Sequence, residues 1–368
     1  MKQIFFILIV FLYACNTNKS KEEIVNSVQR FNLSHKNEHI VSNLTDSVSF
    51  LPLKEKDDFL FSTINKLIIK ENQIYVLDIW SANSLYVFDD SGVFIRKVGN
   101  KGIGPKEYVR LWDFDVDSSY IYLYDRAKMQ IQKYDLQGNF IEEKKTPFRL
   151  DGFKVLENQK YLFSLAKEDN HYQVLLTDST FHVESSFFPF EKKYLDNKMT
   201  DNVFQEYEGT IFYNKLINDT IYSFSKKGEF LGGVLFDFGT CKVPEKFRND
   251  YDELTKMRKQ KKFIYFFDTP IKVNNYWIGK VFNGQNKATF LYNISANEYY
   301  IYDWVPQKID YTDLCMPLFA NKNYIVGLLN LEIYNSLRKK PFLDTTIVEY
   351  LEEGGHLLCF YHNHMKHL

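Results

Sequence analysis

The chain has 368 residues and a formal net charge of −1, and aromatic residues make up 17% of it. Without a basic excess, the sequence gives no electrostatic indication of a nucleic-acid-binding protein. Glycine and proline are present in ordinary amounts, which excludes fibrous and low-complexity classes. After Cys15, only Cys241, Cys315 and Cys359 remain. Their wide spacing indicates neither a disulfide framework nor a zinc cluster, so we expect buried thiols.

The start of the chain has the anatomy of a signal peptide over residues 1–14. A short positive region is followed by the apolar run Ile4–Leu12, which is shorter than the roughly 20 residues that a membrane span needs. The run ends in Leu-Tyr-Ala-Cys, which resembles the lipobox of bacterial lipoproteins, where the cysteine is acylated. We therefore predict Cys15 as a lipidation site. The alternatives are an uncleaved anchor and a plain secretory signal with an incidental cysteine.

Residues 15–39 are polar, rich in Asn, Lys, Ser and Glu, and without apolar periodicity. This composition predicts a lipidated, flexible tether. Asn16 follows the cysteine, where an Asp would resemble an inner-membrane retention signal. The predicted location is therefore the outer membrane, facing either the periplasm or the cell surface, with the membrane as a partner through the lipid anchor.

A repeat of about 45 residues organises the rest of the chain. One copy has segments that start at Ile74 and Val87, and the next copy has matching segments 47 and 46 residues later, at Ile121 and Lys133. A partial third copy starts at Ile221. Each unit has a strand that ends in Asp or another polar residue, a second strand, a turn that ends in Gly, and a third strand. With one more short strand before it, such a unit is typical of a β-propeller blade.

The repeat predicts an all-β fold over residues 40–361, a six-bladed β-propeller of four-stranded blades. Strand 48–53 has no blade of its own, so we expect it to complete the last blade and close the ring. Helical spacing of apolar residues predicts short inserted helices near 244–262 and 328–340, and 362–368 is predicted as a tail. The predicted blades are 62–99, 110–147, 150–190, 202–239, 263–304 and 318–361.

One connection between blades carries a family resemblance. Residues 98–108 read Val-Gly-Asn-Lys-Gly-Ile-Gly-Pro-Lys-Glu-Tyr and lead to Phe114–Asp117, which is similar to an NHL repeat. Together with the lipobox, the chain over roughly residues 40–361 resembles the six-bladed β-propeller lipoproteins of Bacteroidetes. The resemblance implies the fold and an envelope location. It implies little chemistry, because members of that family are mostly of unknown function.

Blade geometry places the loops between second and third strands, and the connections between blades, on one face of the ring. An exposed Trp beside Arg suits a sugar ring, an anionic group or a peptide. The alternative is structural, with Trp80 packed between blades and Arg126 paired with Asp125 or Asp78. The candidate ligand-binding residues on this face are Trp80, Arg110, Trp112 and Arg126.

No motif for a nucleophilic Ser, a zinc protease or a phosphate loop occurs. We therefore predict no catalytic residue, no metal and no cofactor. Asp113, Asp115 and Asp117 alternate on an inner strand, where they would suit a cation, although turn formation is the simpler explanation for two of them. The histidines from His356 to His367 are interpreted as a fortuitous cluster.

The predicted function is a non-catalytic binding or interaction module for a glycan, peptide or protein ligand, with no nucleic-acid partner and with its oligomeric state open. The alternative is a propeller hydrolase or lyase that acts on sugars or peptides with a channel metal. A third possibility is an assembly subunit. Convergent histidines and carboxylates in the channel would favour the enzyme, and a large apolar patch would favour the subunit.

Overall fold

The structure is a computed structural model. It describes residues 28–54, 61–166, 170–190, 202–214, 217–248 and 250–363, except for the side chains of Asn43 and Tyr251. The predicted signal peptide and Cys15 lie outside the described residues.

The described strands form six small sheets around a central channel. Each sheet contains a run of four antiparallel strands, and consecutive sheets follow one another around the ring. This is a six-bladed β-propeller, as the repeat predicts.

From the channel outward, blade one consists of Lys66–Lys70, Gln73–Asp78, Ser84–Asp89 and Phe94–Val98. Blade two consists of Leu111–Val116, Tyr120–Asp125, Gln130–Asp135 and Phe140–Lys145. Blade three consists of Leu150–Val155, Tyr161–Leu165, Tyr172–Thr177 and Val183–Pro189. Blade four consists of Phe204–Tyr207, Thr210–Asn214, Thr220–Ser225 and Phe230–Asp237. Blade five consists of Ile264–Phe266 with Ile271–Val273, then Tyr276–Asn283, Asn286–Asn293 and Glu298–Asp303. Blade six consists of Phe319–Ala320, Tyr324–Leu329, Leu357–Asn363 and Thr45–Pro52. Two more short strands, Asn100–Lys101 and Glu107–Tyr108, pair in the connection between blades one and two.

The ring closes through a strand from the start of the propeller. Thr45–Pro52 pairs antiparallel with Leu357–Asn363 and forms the outer strand of blade six. It contains most of the strand predicted at 48–53. The closure ties the two ends of the domain together and covers an edge that would otherwise be open.

The segment that leads into the ring also contains strands, although the sequence predicts a flexible tether over 15–39. Val28–Asn32 runs parallel to the outer strand of blade four. His35–Lys36 runs parallel to the outer strand of blade five. Residues from Val28 onward therefore belong to the propeller, and the tether prediction is wrong for 28–39.

The physical reason is that these strands cover blade edges. An outer edge presents unpaired backbone N–H and C=O groups, which a polar segment can pair without any apolar periodicity. Phe31 adds packing, since its ring centroid lies 5.8 Å from that of Phe236 and 4.8 Å from that of Tyr292. Arg30 also forms an ion pair with Asp237. Pairing of this kind uses the backbone, so the side-chain pattern does not reveal it.

Both predicted helical insertions are present. Segment 244–262 contains Glu245–Arg248 and Tyr251–Arg258, and segment 328–340 contains Leu331–Ser336. The N-terminal ends follow ordinary capping chemistry. For example, the Asn330 carboxamide oxygen accepts the backbone N–H of Ile333 at 2.9 Å.

Two further helices, Ile40–Leu44 and Thr345–Glu352, were not predicted. Asp344 caps the second by accepting the backbone N–H of Ile347 at 2.8 Å. Ile40 and Leu351 are fully buried in one apolar cluster beside blades five and six. Among the helices of the described residues, none has the length and apolar character needed to cross a membrane.

The turn between the third and outer strands has one design in blades one to four. In blade one, Asp89 Oδ1 accepts the backbone N–H groups of Ser91 and Val93, both at 2.9 Å. Gly92 follows with a φ of +77°, and a Cβ there would collide with the carbonyl oxygen of Pro52 in blade six. This glycine therefore allows both the turn and the close contact at the ring closure. The equivalent capping residues are Asp135, Asp178 and Ser225.

Aromatic side chains fill the space between neighbouring blades, which explains their abundance in the sequence. The Tyr124 hydroxyl accepts the backbone N–H of Leu150 at 3.0 Å and so links blades two and three. All three described cysteines are free; Cys315 and Cys359 are buried, and Cys241 is half-buried. Burial raises the pKa of the Cys315 thiol to about 12.

The strand directions divide the loops between two faces of the ring. The turns between inner and second strands are short, such as Glu71–Asn72, Asp117–Ser119 and Glu157–Gln159, and we call their side the short-turn face. The loops between second and third strands, the connections between blades and both helical insertions lie on the opposite side, the long-loop face.

Candidate functional site

A buried carboxylate organises the loops of blade two on the long-loop face. Asp125 ends the second strand, and its Oδ2 accepts the backbone N–H of Val109 at 2.7 Å. Its Oδ1 accepts the N–H groups of Arg110, Ala127 and Lys128 at 3.1, 2.9 and 3.2 Å. One side chain thus fixes both the incoming connection and the loop to the third strand.

Asp78 does the same in blade one. It accepts the backbone N–H of Ser62 at 3.1 Å, the Thr63 hydroxyl at 3.0 Å and the backbone N–H of Ser81 at 2.8 Å. The strand-ending Asp seen in the repeat is therefore a device that holds loops in place. It positions Trp80, which lies between Asp78 and Ser81 in the chain.

A β-bulge places Trp112. In the inner strand of blade two, Leu111 pairs with Asp125 and Asp113 pairs with Tyr124, so Trp112 is the extra residue. A bulge redirects the side chain that it carries. The inner strand of blade three has the same bulge between Leu150 and Gly152. Asp151 is its extra residue and therefore occupies the position equivalent to Trp112.

The structure brings all four predicted site residues together. The rings of Trp80 and Trp112 are 5.6 Å apart and meet edge to face at 80°. The guanidinium carbons of Arg110 and Arg126 lie 5.3 Å and 4.1 Å from the centre of the Trp112 ring. We call these four residues the Trp–Arg cluster. Two neighbouring blades build it, blade one with Trp80 and blade two with the other three.

Exposure divides the cluster into a base and a surface. Trp112 is only 6% exposed, and the Arg126 side chain is 11% exposed and lies 3.9 Å from Asp151 Oδ1. Both side chains pack inside the fold. The structural alternative paired Arg126 with Asp125 or Asp78, but in the structure its guanidinium approaches Asp151. Trp80 is 58% exposed and Arg110 is exposed. Only these two present a surface to a ligand.

Arg110 offers an available charge. Across the described ranges, its guanidinium forms no ion pair. Cation–π contact with Trp112 stabilises its position without neutralising the charge. A carboxylate on a ligand is therefore the natural complement of this side chain.

The neighbouring Gly-rich connection is held firmly. Glu107 Oε2 accepts the backbone N–H of Gly104 at 2.8 Å, and Lys128 Nζ donates to the carbonyl oxygens of Gly104 and Glu107 at 3.1 and 2.6 Å. A Cβ at Gly102 would collide with the Glu107 carboxylate. Ile103 projects from this loop and is 91% exposed. The connection thus adds an exposed apolar side chain to the same face.

The inner-strand carboxylates do not form the cation site considered from the sequence. Asp113 Oδ1 lies 2.8 Å from Lys66 Nζ, and Asp115 Oδ1 lies 2.9 Å from Lys154 Nζ. Their other oxygens accept backbone N–H groups of blade three. Asp117 instead stabilises a turn by accepting the N–H groups of the two residues Ser119 and Tyr120. No group of three histidines, cysteines or carboxylates suited to a metal occurs in the described part of the chain.

The described C-terminal histidines have separate structural contacts. The His356 ring stacks on Phe61 at 4.8 Å. His362 Nε2 lies 2.9 Å from the Ser49 hydroxyl in the closing strand. His364 and His367 lie outside the described residues.

Sequence reasoning missed a cavity on the short-turn face at the mouth of the channel. Lys70, Lys154 and Glu206 line it, and each lies at or near the end of an inner strand in a different blade. The sequence feature that could have indicated this cavity is a charged residue at or near the end of the inner strand in several blades. The repeat did not reveal it, because the charges differ in sign and position from one blade to the next.

A family model described as a domain of unknown function, DUF4934, matches residues 26–352. The chain belongs to this family. The match begins just before the first described strand and includes every residue of the Trp–Arg cluster.

Two solved structures resemble this DUF4934 protein. One is a protein from Bacteroides fragilis that is presumed to be exported. Its sequence is 22% identical, and the match covers 90% of this chain and 98% of that protein with a TM-score of 0.72. The other, a member of the DUF4221 family from Bacteroides vulgatus, is 12% identical, covers 87% and 97%, and has a TM-score of 0.52. Such likeness confirms the fold. No curated protein matches the sequence.

Proposed function

We propose that the protein is an exported, non-catalytic binding module that is anchored to the outer membrane through a lipid on Cys15. The signal-peptide anatomy of residues 1–14 and the lipobox-like sequence before Cys15 support export and lipidation. The similar protein from Bacteroides fragilis, presumed to be exported, agrees with this proposal.

The position of the first strand sharpens the anchoring proposal. Only residues 16–27 separate Cys15 from Val28 on the outer edge of blade four. Twelve residues span at most roughly 40 Å when fully extended. The proposed anchor therefore holds the rim of blade four near the membrane, closer than a tether that continued to residue 39 would allow.

The exposure of Trp80 beside Arg110 carries the binding proposal. A Trp that is 58% exposed on a fixed loop, above a buried Trp and Arg base, is pre-organised for contact. Aromatic and Arg side chains dominate the binding energy of many interfaces. The matching ligand has a flat or apolar group for Trp80 and a carboxylate for Arg110. An acidic peptide segment and a uronate-containing glycan both have this chemistry.

The alternative of a channel-metal hydrolase or lyase gains no support from the inner-strand carboxylates. Lysines and backbone N–H groups already occupy the oxygens of Asp113 and Asp115. We therefore retain the binding proposal.

Lipidation can be tested by labelling cells with an alkyne analogue of palmitate. We expect the full-length protein to incorporate label and to fractionate with membranes, and Cys15→Ala to do neither. Cys241→Ala is the matched control, because Cys241 is the most accessible of the described thiols. An unlabelled wild-type protein, or a labelled Cys15→Ala variant, would refute the anchor.

Ligand binding can be tested with arrays of acidic peptides and of uronate oligosaccharides. We expect Trp80→Ala and Arg110→Ala each to lower the affinity for the best ligand by about tenfold or more. A tenfold loss corresponds to ~1.4 kcal/mol, which is typical of an important contact residue. Phe342→Ala is the control, because Phe342 is an exposed aromatic residue on the same face at blade six. Equal loss in all three variants, or no loss in the first two, would refute the proposed site.

A further inference from the structure

The cavity on the short-turn face has the size of a small-molecule site. Its volume is about 480 Å³, within the roughly 300–1,000 Å³ usual for such sites. Its lining includes the turn Asp117–Tyr120 of blade two, the turn Glu157–Gln159 of blade three, and Lys154 and Glu206. A second cavity of about 350 Å³ adjoins it at the channel mouth and shares Lys154 and Glu206.

Three of the charged residues that line this cavity, Lys154, Glu206 and Lys226, are already ion-paired. Lys154 Nζ lies 2.9 Å from both Asp115 Oδ1 and Glu206 Oε2, and Lys226 Nζ lies 3.3 Å from Glu206 Oε1. Lys70 donates to a backbone carbonyl at 3.1 Å. The lining as a whole has three lysines and three carboxylates. An ionic ligand at Lys154 or Glu206 would have to displace an internal partner and leave that partner's charge unpaired.

Neutral polar groups remain available. Within the described residues, no hydrogen bond engages the side chains of Ser118, Asn158 or Gln159. Tyr120 adds a half-buried ring. Gln159 has a φ of 57°, a left-handed conformation that Gln rarely adopts and that Gly adopts freely.

We propose that this cavity binds a neutral mono- or disaccharide. Each sugar hydroxyl both donates and accepts, as do the hydroxyl and carboxamide groups of Ser118, Asn158 and Gln159. One face of the Tyr120 ring carries the Lys133 ammonium, 3.8 Å from the ring centre, and the other face would contact the C–H face of the sugar. Lys154 and Glu206 contribute charge-assisted hydrogen bonds without a net charge. The cavity lies on the face opposite the Trp–Arg cluster, so this proposal does not rest on the proposed function.

Isothermal titration calorimetry on the full-length protein, in a detergent without a sugar headgroup, tests the ligand class. The probes are glucose, galactose, N-acetylglucosamine, maltose and cellobiose, compared with glucuronate, glycine and inorganic phosphate. At least one neutral sugar should bind saturably with a Kd on the order of 1 mM or tighter, and the charged probes should bind more weakly. Binding of charged probes alone, or of no neutral sugar, would overturn the proposal.

Variants at two turn positions locate the site. Asn158→Gly and Gln159→Gly remove the side chains and relax backbones that both have positive φ. Each should weaken sugar binding by about fivefold or more while the melting temperature stays equal or rises. Asn72→Gly is the matched control, because Asn72 has a φ of 57° in the equivalent turn of blade one. Wild-type affinity in both glycine variants would place the sugar elsewhere and refute the site.

Discussion

The two faces of the ring use their polar residues in opposite ways. On the long-loop face, loops fixed by Asp78 and Asp125 present Trp80 and Arg110 outward above a packed base. On the short-turn face, charged residues from several blades neutralise one another around a concave cavity. One face therefore presents a protruding aromatic group with an available charge, and the other offers a neutral, hydroxyl-rich depression.

If both proposals hold, the propeller keeps two binding tasks on opposite faces. Protruding aromatic residues suit a large partner that approaches from solution, because they need no pocket. A compensated cavity suits a small ligand that replaces water hydrogen bonds. Substitutions that act on one face and leave the other intact can test this separation.

We expect the greatest loss of stability from a substitution in the base of the Trp–Arg cluster. Trp112→Ala removes a buried indole that contacts Trp80, Arg110 and Arg126, so we expect a loss of about 3–5 kcal/mol in the free energy of unfolding. Trp80→Ala removes an exposed ring and should cost at most about 1 kcal/mol. Urea unfolding of both variants measures the contrast. Similar losses would show that Trp80 is a packing residue and not a surface for a ligand.

The next effect concerns the charged pairs below the cavity. Lys154→Met leaves the buried Asp115 and the partly buried Glu206 without their shared ammonium partner. Breaking a buried pair is strongly destabilising, so we expect a loss of about 3 kcal/mol by urea unfolding. In the control Lys160→Met, an exposed pair with Glu184 is lost, which should cost less than about 1 kcal/mol. An equally small loss in Lys154→Met would mean that the pairs are not a structural unit.

The smallest of these effects is a pH dependence. Burial by itself raises the pKa of Glu206, but Lys154 and Lys226 outweigh burial and lower it to about 2, below its ordinary value of 4.5. The ionised carboxylate therefore stabilises the fold above the unfolded pKa, and this contribution is lost as the pH falls toward 2. Glu206→Gln should lose about 1–2 kcal/mol at neutral pH and should respond less than the wild type to acid between about pH 4.5 and 2.

Chemical unfolding at pH 7, 4 and 3 measures this slope. Glu184→Gln, at the exposed pair, is the control and should parallel the wild type. Parallel acid slopes for Glu206→Gln and wild type would contradict the assignment of the lowered pKa to the lysine contacts.

The fold was predictable because its signals repeat. The strand-ending residues Asp78 and Asp125 and the turn around Gly92 have roles that depend on local hydrogen bonds, so equivalent positions in the sequence mark equivalent positions in the blades. The same periodicity predicted that the four cluster residues share a face. It did not distinguish base from surface, because the bulge that buries Trp112 depends on strand pairing.

The remaining features depend on contacts between segments far apart in the chain. Val28–Asn32 pairs with an edge about two hundred residues away through its backbone, which leaves no side-chain pattern. Lys154 and Glu206 come from adjacent blades and have meaning only as a pair. No local periodicity encodes either arrangement, so neither the ordered N-terminal strands nor the cavity could be predicted.

Collisional quenching of tryptophan fluorescence tests whether Trp80 contacts the ligand. Trp112 and Trp277 are buried and Trp304 is half-buried, so acrylamide should quench mainly Trp80. If Trp80 contacts the ligand, saturation with the best carboxylate-bearing ligand should lower the quenching slope of the wild type to that of Trp80→Ala. A ligand that binds while the quenching slope stays unchanged would show that Trp80 does not contact it.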